Sequence, residues 1–473
     1  MKDLLVVLGG EVASGRAVAK KIRAEHYCCT LLPSHADVTE VKKHAPAGII
    51  IAGESEEGAA APSAALLEIG IPVLALGSAA HVMLSHLGAL ESENAVKKEV
   101  IPVEYMQTPL FEDVSAGERF FEFAASYRLP ERFQIIANSE GHAVAYGNME
   151  ANHYFLQFQM ERNDPDGMAI LLSFTSTICG CTPWWTVETI IAGVEKNLRQ
   201  SVNNRQVICA ISGGLDSTVA AVLAKRALGN QILCLFVDTG LMRNGESALI
   251  SSHLRDELAL PFFCIDASRR VINALSGVAL LEEKRKIVEN EIFRALLEKS
   301  EQNHEETVFI KGTHYLDKLH EKKRAGDPSS NPAIFPLIDL FKDEIRKIGE
   351  YLQLPPEVLN RQPFPGMGLA ARIHGAVNEE RLQILRCSDA VFESELKKAG
   401  LHKRLKRYFT MLHAIDGQYV IVLRATQGSE PKMSAARLPS DVLERTVERL
   451  QAEVPGIRHV LYDITPGIAE WSQ

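Results

Sequence analysis

Ser212-Gly213-Gly214-Leu215-Asp216-Ser217-Thr218 stands directly after the apolar run 207–211 and directly before the helical pattern 219–228. A glycine pair where a strand turns into a helix lets the backbone fold tightly, so that N–H groups and the positive helix end can surround a pyrophosphate. Ser212, Ser217 and Thr218 add hydroxyl donors. Asp216 suits both a helix N-terminus and a Mg2+ ion shared with the phosphates. Loops with a Gly and an Asp or Ser cap are common by chance. The fixed order Ser-Gly-Gly-x-Asp-Ser, the buried-strand context and a second strand, 232–237, ending in Asp238-Thr239-Gly240 set this one apart. The turn reads as an ATP site.

The elements that must hold this turn form an alternating α/β unit beginning at Gln206. Its strands are expected at 207–211, 232–237, 262–266 and 308–311, and ligands of such sheets sit at the carboxyl ends of the strands. A polar segment, 322–331, rich in Lys, Gly, Ser and Pro, is a mobile-loop candidate at the same edge. Upstream, the first hundred residues also alternate, with strands at 4–8, 48–51 and 71–76 and helices at 17–24 and 81–87, a doubly wound layout. Short alternating strands are expected over 100–158, a helix over 166–177 and a bridging helix over 186–202. After Leu337 a third unit begins, marked by the tight turn Phe364-Pro365-Gly366-Met367-Gly368 and closing as strand, helix, strand.

A chain of 473 residues exceeds one core and points to about three domains. With 46% hydrophobic and 23% charged residues the composition is that of an ordered globular protein. The net charge of −9 argues against a polyanionic partner, so nucleic acid is not expected. No secretory segment opens the sequence and no apolar run is long enough to cross a membrane, so the expected compartment is the cytoplasm. The eight cysteines lack a paired framework. Cys28, Cys209, Cys234 and Cys264 fall in expected strands as core thiols, and Cys179 and Cys181 have no partner cluster for zinc.

The Ser-Gly-Gly-x-Asp-Ser turn resembles the PP-loop of ATP pyrophosphatases, which cleave ATP to AMP and pyrophosphate. Several further segments together resemble one family, GMP synthetase, through nearly the whole chain. They are Phe236 to Arg243, Asp266-Ala267-Ser268, Glu283-Lys284-Arg285-Lys286, Gly312-Thr313, Asp317, Leu340 to Lys347, Phe364 to Leu369, Leu423-Arg424-Ala425 and Ala469-Glu470-Trp471. The resemblance implies a class I glutamine-amidotransferase-like domain (1–190), a PP-loop ATP pyrophosphatase domain (191–345) and a small α+β C-terminal dimerisation domain (346–473), assembled as a homodimer. It implies adenylation of the C2 carbonyl oxygen of xanthosine monophosphate, then displacement of AMP by ammonia. Ser212, Gly213, Gly214, Asp216, Ser217, Thr218 and Gly312 would hold ATP, with Asp238 near its adenosine. Asp216, carrying Mg2+, and Asp317 would be catalytic, and Arg243, Arg372 and Glu470 would contact the purine nucleotide. Against a solvated loop charge at Arg243, the planar fork of arginine favours phosphate.

The chain departs from that family in its front domain. The family's nucleophile elbow carries Cys where this chain has Gly77, followed by Ser78, and the family's Phe-His-Pro-Glu is matched by Phe158-Gln159-Met160-Glu161. Glycine offers no nucleophile, and glutamine cannot act as a base near neutral pH. Glu161 remains with no imidazole to orient. The oxyanion glycines align with Gly53-Glu54, whose carboxylate opposes a developing oxyanion. Glutamine hydrolysis is therefore not expected, and His81, His86 and His153 are poor rescuing bases. In the rear part, the family's His-containing lid is replaced by Lys322 to Asp327. Gln362 stands for a His, Met367 for a Pro, and 465–469 for a stretch with a phosphate-binding Lys. Competing readings are a tRNA-modifying PP-loop enzyme, disfavoured by the acidic balance; NAD synthetase, which leaves the similarity beyond Leu337 unexplained; and a nucleotide-binding regulator without turnover.

Overall fold

Strands made of uninterrupted apolar residues need cover on both faces, which parallel sheets flanked by helices supply. The computed structural model describes residues 3–53, 62–112, 114, 117–159, 165–203, 205–301, 307–315, 333–362, 364–415, 418–428 and 433–465. Asp317, Glu161, Glu470, Glu54 and the segment 322–331 lie outside them. The chain divides into two compact units, Met1–Ile190 and Ile191–Gln473. A division at 345 would cut the helix Lys342–Tyr351.

In the first unit, β1 (Leu4–Leu8), β2 (Cys28–Leu32), β3 (Gly48–Ala52) and β4 (Val73–Leu76) run parallel in the order β2-β1-β3-β4. β9 (His153–Leu156) continues beside β4 in parallel, and beyond it the sheet becomes antiparallel through β8 (His142–Asn148), β7 (Gln134–Ser139), β5 (Ala89–Tyr105) and β6 (Gly117–Arg128). Strand β5 starts well before residue 100, where the change of pattern is expected. Its polar stretch has no apolar alternation, and the ladder with β6 makes it a strand. The helices Ala13–Ala24 and Ser78–Leu87 bury Val18, Ala19 and Ile22, and Ala79, Ala80, Met83 and Leu84. Helix Pro165–Leu172 widens into a π turn over Ser173–Ile178.

In the second unit five parallel strands follow the order β12-β11-β10-β13-β14: β10 (Gln206–Ile211), β11 (Ile232–Asp238), β12 (Phe262–Asp266), β13 (Thr307–Ile310) and β14 (Ala333–Ile334). Central β10 is flanked by β11 and β13 along almost its whole length, so the turn after it opens at the middle of the carboxyl edge. A second sheet pairs β15 (Arg407–Ile415) with β16 (Gln418–Gln427), and β16 with β17 (Ser434–Ala435) and β18 (Ile457–Asp463). Helices Glu379–Lys398 and Ser440–Glu453 accompany it. One hydrophobic cluster joins Ile208, Leu235 and Val237 of the parallel sheet to Leu385 and Phe392 of the long helix and to Leu412 and Leu423 of the hairpin. Parts remote in sequence are thus fastened by a shared core. Among the described residues no helix is long and apolar enough to cross a membrane.

Candidate active site

Strand β10 ends at Ile211, and the chain reverses through Ser212-Gly213-Gly214 into the helix Leu215–Leu228. Gly213 takes φ 75°, which side chains rarely tolerate, and Gly214 caps the helix without any side-chain bond. The hydroxyls brace the turn: Ser217 Oγ donates to Gly214 O at 3.1 Å and lies 3.1 Å from Ser212 Oγ, while Thr218 Oγ1 donates to Gly214 O at 2.8 Å. Ser212, Gly214, Asp216 and Ser217 line an open cavity of about 240 Å³ with Lys311, Gly312 and Thr313 of the β13 end. A Cβ at Gly312 would lie 2.7 Å from both Cα and N of Ser217, so only glycine allows this approach. The result is a helix N-terminus facing a pocket roomy enough for a pyrophosphate.

Asp216 supplies the negative charge there. Its Oδ2 lies 3.7 Å from Lys342 Nζ and 3.9 Å from His314 Nε2, while its Oδ1 is buried with no hydrogen-bond partner among the described residues. A carboxylate oxygen shielded from water and unbonded is costly unless something cationic completes it. A hard divalent ion with oxygen ligands fits that atom, and Asp216 would hold it.

A second cavity, of about 470 Å³, opens beyond β11 and includes Asp238, Arg243, Ser247, Gln383 and Arg386 in its lining. Asp238 accepts from Gly240 N at 2.9 Å and from Ser247 Oγ at 2.5 Å. Arg243 Nε donates to Asp389 Oδ2 at 3.1 Å, and Arg372 Nη1 reaches the same oxygen at 3.3 Å. The structure thus brings Arg243 and Arg372 onto one carboxylate. Arg372 is buried, and that burial lowers its pKa to about 10 despite the neighbouring Asp389. Glu246 links the two cavities: its Oε2 accepts from Arg243 N at 3.1 Å, and its Oε1 holds Arg361, whose Nη1 donates to Ser212 O at 3.2 Å.

Asp389, Arg361, Arg386 and His314 escaped the sequence reading. One signal was available, because Asp389 interrupts an apolar helix stripe of Leu382, Leu385, Phe392 and Leu396, and a charge inside such a stripe needs a partner. Arg361 carries no local cue.

The first unit contains a second strand-to-helix turn, from β4 into Ser78–Leu87. Gly77 stands on it with φ 56° and ψ −130°, a strained conformation of the kind that nucleophile elbows adopt. A Cβ built there would meet only the Gln159 side chain, at 3.5 Å. Ser78 Oγ donates instead to the Gly53 carbonyl. The four thiols of this unit lie elsewhere: Cys28 and Cys29 pair with the start of β1, Cys179 packs against Gly48 at the start of β3, and Cys181 is buried two residues on. Burial, then the neighbouring Asp3, raises the Cys181 pKa to about 11. His153 pairs with Val73 at the far end of the strands, His81 is bonded to Tyr127 at 2.5 Å, and His86 is exposed near the helix end. Among the described residues, Gly77 therefore faces neither a thiol nor an imidazole.

Comparison with known proteins covers both units. Residues 186–314 match the NAD synthase family. Over 99% of its length the chain is 34% identical to the GMP synthase (glutamine-hydrolyzing) of Symbiobacterium thermophilum, covering 99% of that protein. It is 33% identical to a putative GMP synthase (glutamine-hydrolyzing) of Halalkalibacterium halodurans, with 99% of each chain covered. Identity to the GMP synthase (glutamine-hydrolyzing) of Heliobacterium modesticaldum is also 33%, over 99% of this chain and 98% of the relative.

Proposed function

The chain belongs to the GMP synthase family, and from that premise we propose an ATP-dependent carbon–nitrogen ligase that converts a xanthosine-monophosphate-like nucleotide to its 2-amino product with ammonia as the nitrogen donor. The observation that carries the ATP half is the Ser212–Thr218 turn closed by Gly312, with the unpartnered Asp216 Oδ1 at its wall. In the reaction, the C2 oxygen of the base attacks the α-phosphorus of ATP and pyrophosphate leaves. Ammonia then adds at C2, and AMP departs with that oxygen.

Each residue has a distinct part. The N–H groups of the turn and the start of helix Leu215–Leu228 take the negative charge of the departing pyrophosphate, and Lys311 and Lys342 stand beside it. A Mg2+ ion on Asp216 would neutralise phosphate charge as the bond to pyrophosphate breaks. Asp238, at the end of β11, takes the adenosine side, and Arg243 takes the acceptor nucleotide. Asp317 and Glu470 keep the roles the family resemblance assigns them, as does dimerisation through 346–473.

Ammonia is favoured over glutamine because Gly77, on an elbow with room for a side chain, faces Gln159 where a nucleophile and a base would have to stand. Pyrophosphate release tests the whole reading. Turnover with ATP, Mg2+, XMP and ammonium, and none with glutamine in place of ammonium, is the expected result. ATP binding without turnover across purine nucleotides would overturn it.

A further inference from the structure

Helix Glu379–Lys398 turns one face toward the second cavity. Gln383 and Arg386 line it, and Asp389, one turn further along the same face, lies just behind its wall, 6% exposed. Arg386 fastens this face to the loop after β11, donating through Nε to Met242 O at 3.1 Å and through Nη2 to Gly240 O. Asp389 has both oxygens committed. Oδ1 accepts from Thr410 N at 2.9 Å and Thr410 Oγ1 at 3.2 Å, Oδ2 accepts from Arg243 Nε at 3.1 Å, and Arg372 Nη1 spans the two at 3.4 and 3.3 Å. The Phe364 ring packs against both guanidinium groups, 4.9 Å from Arg243 and 5.2 Å from Arg372, and Arg372 also lies over Phe409 at 4.7 Å.

Within this cluster one carboxylate faces two guanidinium groups, which leaves one arginine charge that Asp389 does not match, while the cavity's own carboxylate, Asp238, is engaged by Gly240 N and Ser247 Oγ. That unmatched charge belongs to Arg243, because its side chain keeps 17% exposure against 4% for Arg372 and only Arg243 lines the cavity. The bond to Asp389 uses Nε, an arrangement that leaves the Nη1/Nη2 edge of the fork for an anion. We infer that Asp389 is a positioning residue that aims Arg243 at the anionic acceptor nucleotide, with Arg372 bracing the same carboxylate. This rests on the reading of Arg243 as a nucleotide contact. Thr410, reached from β15, fixes the carboxylate from behind and ties the hairpin to the site.

The test is a double-mutant cycle on the full chain, read as pyrophosphate release with ammonium while XMP and ATP are varied separately. Asp389→Asn keeps the shape and an acceptor for Thr410 but removes the charge. The KM for XMP is expected to rise roughly tenfold or more while the KM for ATP changes less than about twofold. In an Arg243→Ala background the same substitution should add almost nothing, because its effect passes through that arginine. An unchanged KM for XMP, an equal rise for ATP, or additivity with Arg243→Ala overturns the inference. Should Asp389→Asn fail to fold, Thr410→Val removes only the Oγ1 bond. A rise of about twofold in the KM for XMP alone is then expected, and no rise overturns the inference. Absence of XMP-dependent turnover in the unsubstituted protein overturns the acceptor assignment, whereas normal turnover with an insensitive KM overturns the role of Asp389 alone.

Discussion

Two turns in this molecule share one backbone logic and differ in what they carry. At Gly77 and at Gly213 a parallel strand ends, the chain passes through a positive φ, and a helix starts at the carboxyl edge of the sheet. Around Gly213 the hydroxyls, the carboxylate and nearby cations are all in place. Around Gly77 the strained geometry persists beside an amide, Gln159, and among the described residues it faces neither a thiol nor an imidazole. The geometry of such a turn is held by strand pairing and by the buried faces of its strand, its helix and the neighbouring β9, here Ala75, Met83 and Phe155, so it does not depend on which side chains the turn itself carries. Glycine also relieves the strain that a nucleophile on this backbone would bear.

The sharpest break of that comparison is the nitrogen donor. Coupled turnover with glutamine should fall at least a hundredfold below that with ammonium, because the first turn presents Gly77 and Gln159, neither of which offers a nucleophile or a base. Ammonia release from glutamine at rates comparable to the ammonium reaction would show that the first turn is chemically alive. On the second turn, Asp216→Asn should lower kcat for pyrophosphate release on the order of a hundredfold while the melting temperature stays near that of the unsubstituted chain. A loss confined to melting temperature would make this carboxylate structural.

A third measurement concerns the support behind the second cavity. Lys284 Nζ is buried and donates to Ile373 O at 2.7 Å and Ala370 O at 3.4 Å, on either side of Arg372. Burial, then the charge of Arg381, lowers its pKa to about 8. Between pH 8 and the unfolded value near 10.5 the folded chain binds fewer protons than the unfolded one, so this residue makes stability rise with pH across that window. Urea titrations should show a rise of about 1–3 kcal/mol that Lys284→Met abolishes. Identical pH profiles for the two proteins would remove the buried ammonium from the account. The smallest effect is expected at the first turn, where Gly77→Ala should cost about 1–2 kcal/mol through its φ and leave ammonium-driven turnover unchanged. Altered turnover would mean that the first turn still communicates with the second.

Much of the fold was legible because its signals are local. Continuous apolar runs marked β1, β3, β4, β10, β11 and β13, and the helix after Gly214 followed from periodicity. Strand β5 was partly missed because its first half has the composition of a loop and is drawn into a strand by its pairing with β6, while β7 pairs only with the strand's end. Asp389 was visible only as an oddity in an apolar stripe, and Arg361 was not visible, since Glu246 and Ser212, its partners, are 115 and 149 residues away.

The Ser-Gly-Gly-x-Asp-Ser turn and the glycine at the elbow could be read from residues alone, since each depends on side chains, or their absence, within a few adjacent positions and on backbone rules that hold in any fold. Which charges meet is settled by long-range packing. Arg243 and Asp389 are 146 residues apart, and Arg372 and Thr410 join them through a third and a fourth element. Their pairing follows from the core that packs the long helix and the β15–β16 hairpin against the parallel sheet, because a carboxylate placed among buried groups is tolerated only where packing also delivers its cations and donors.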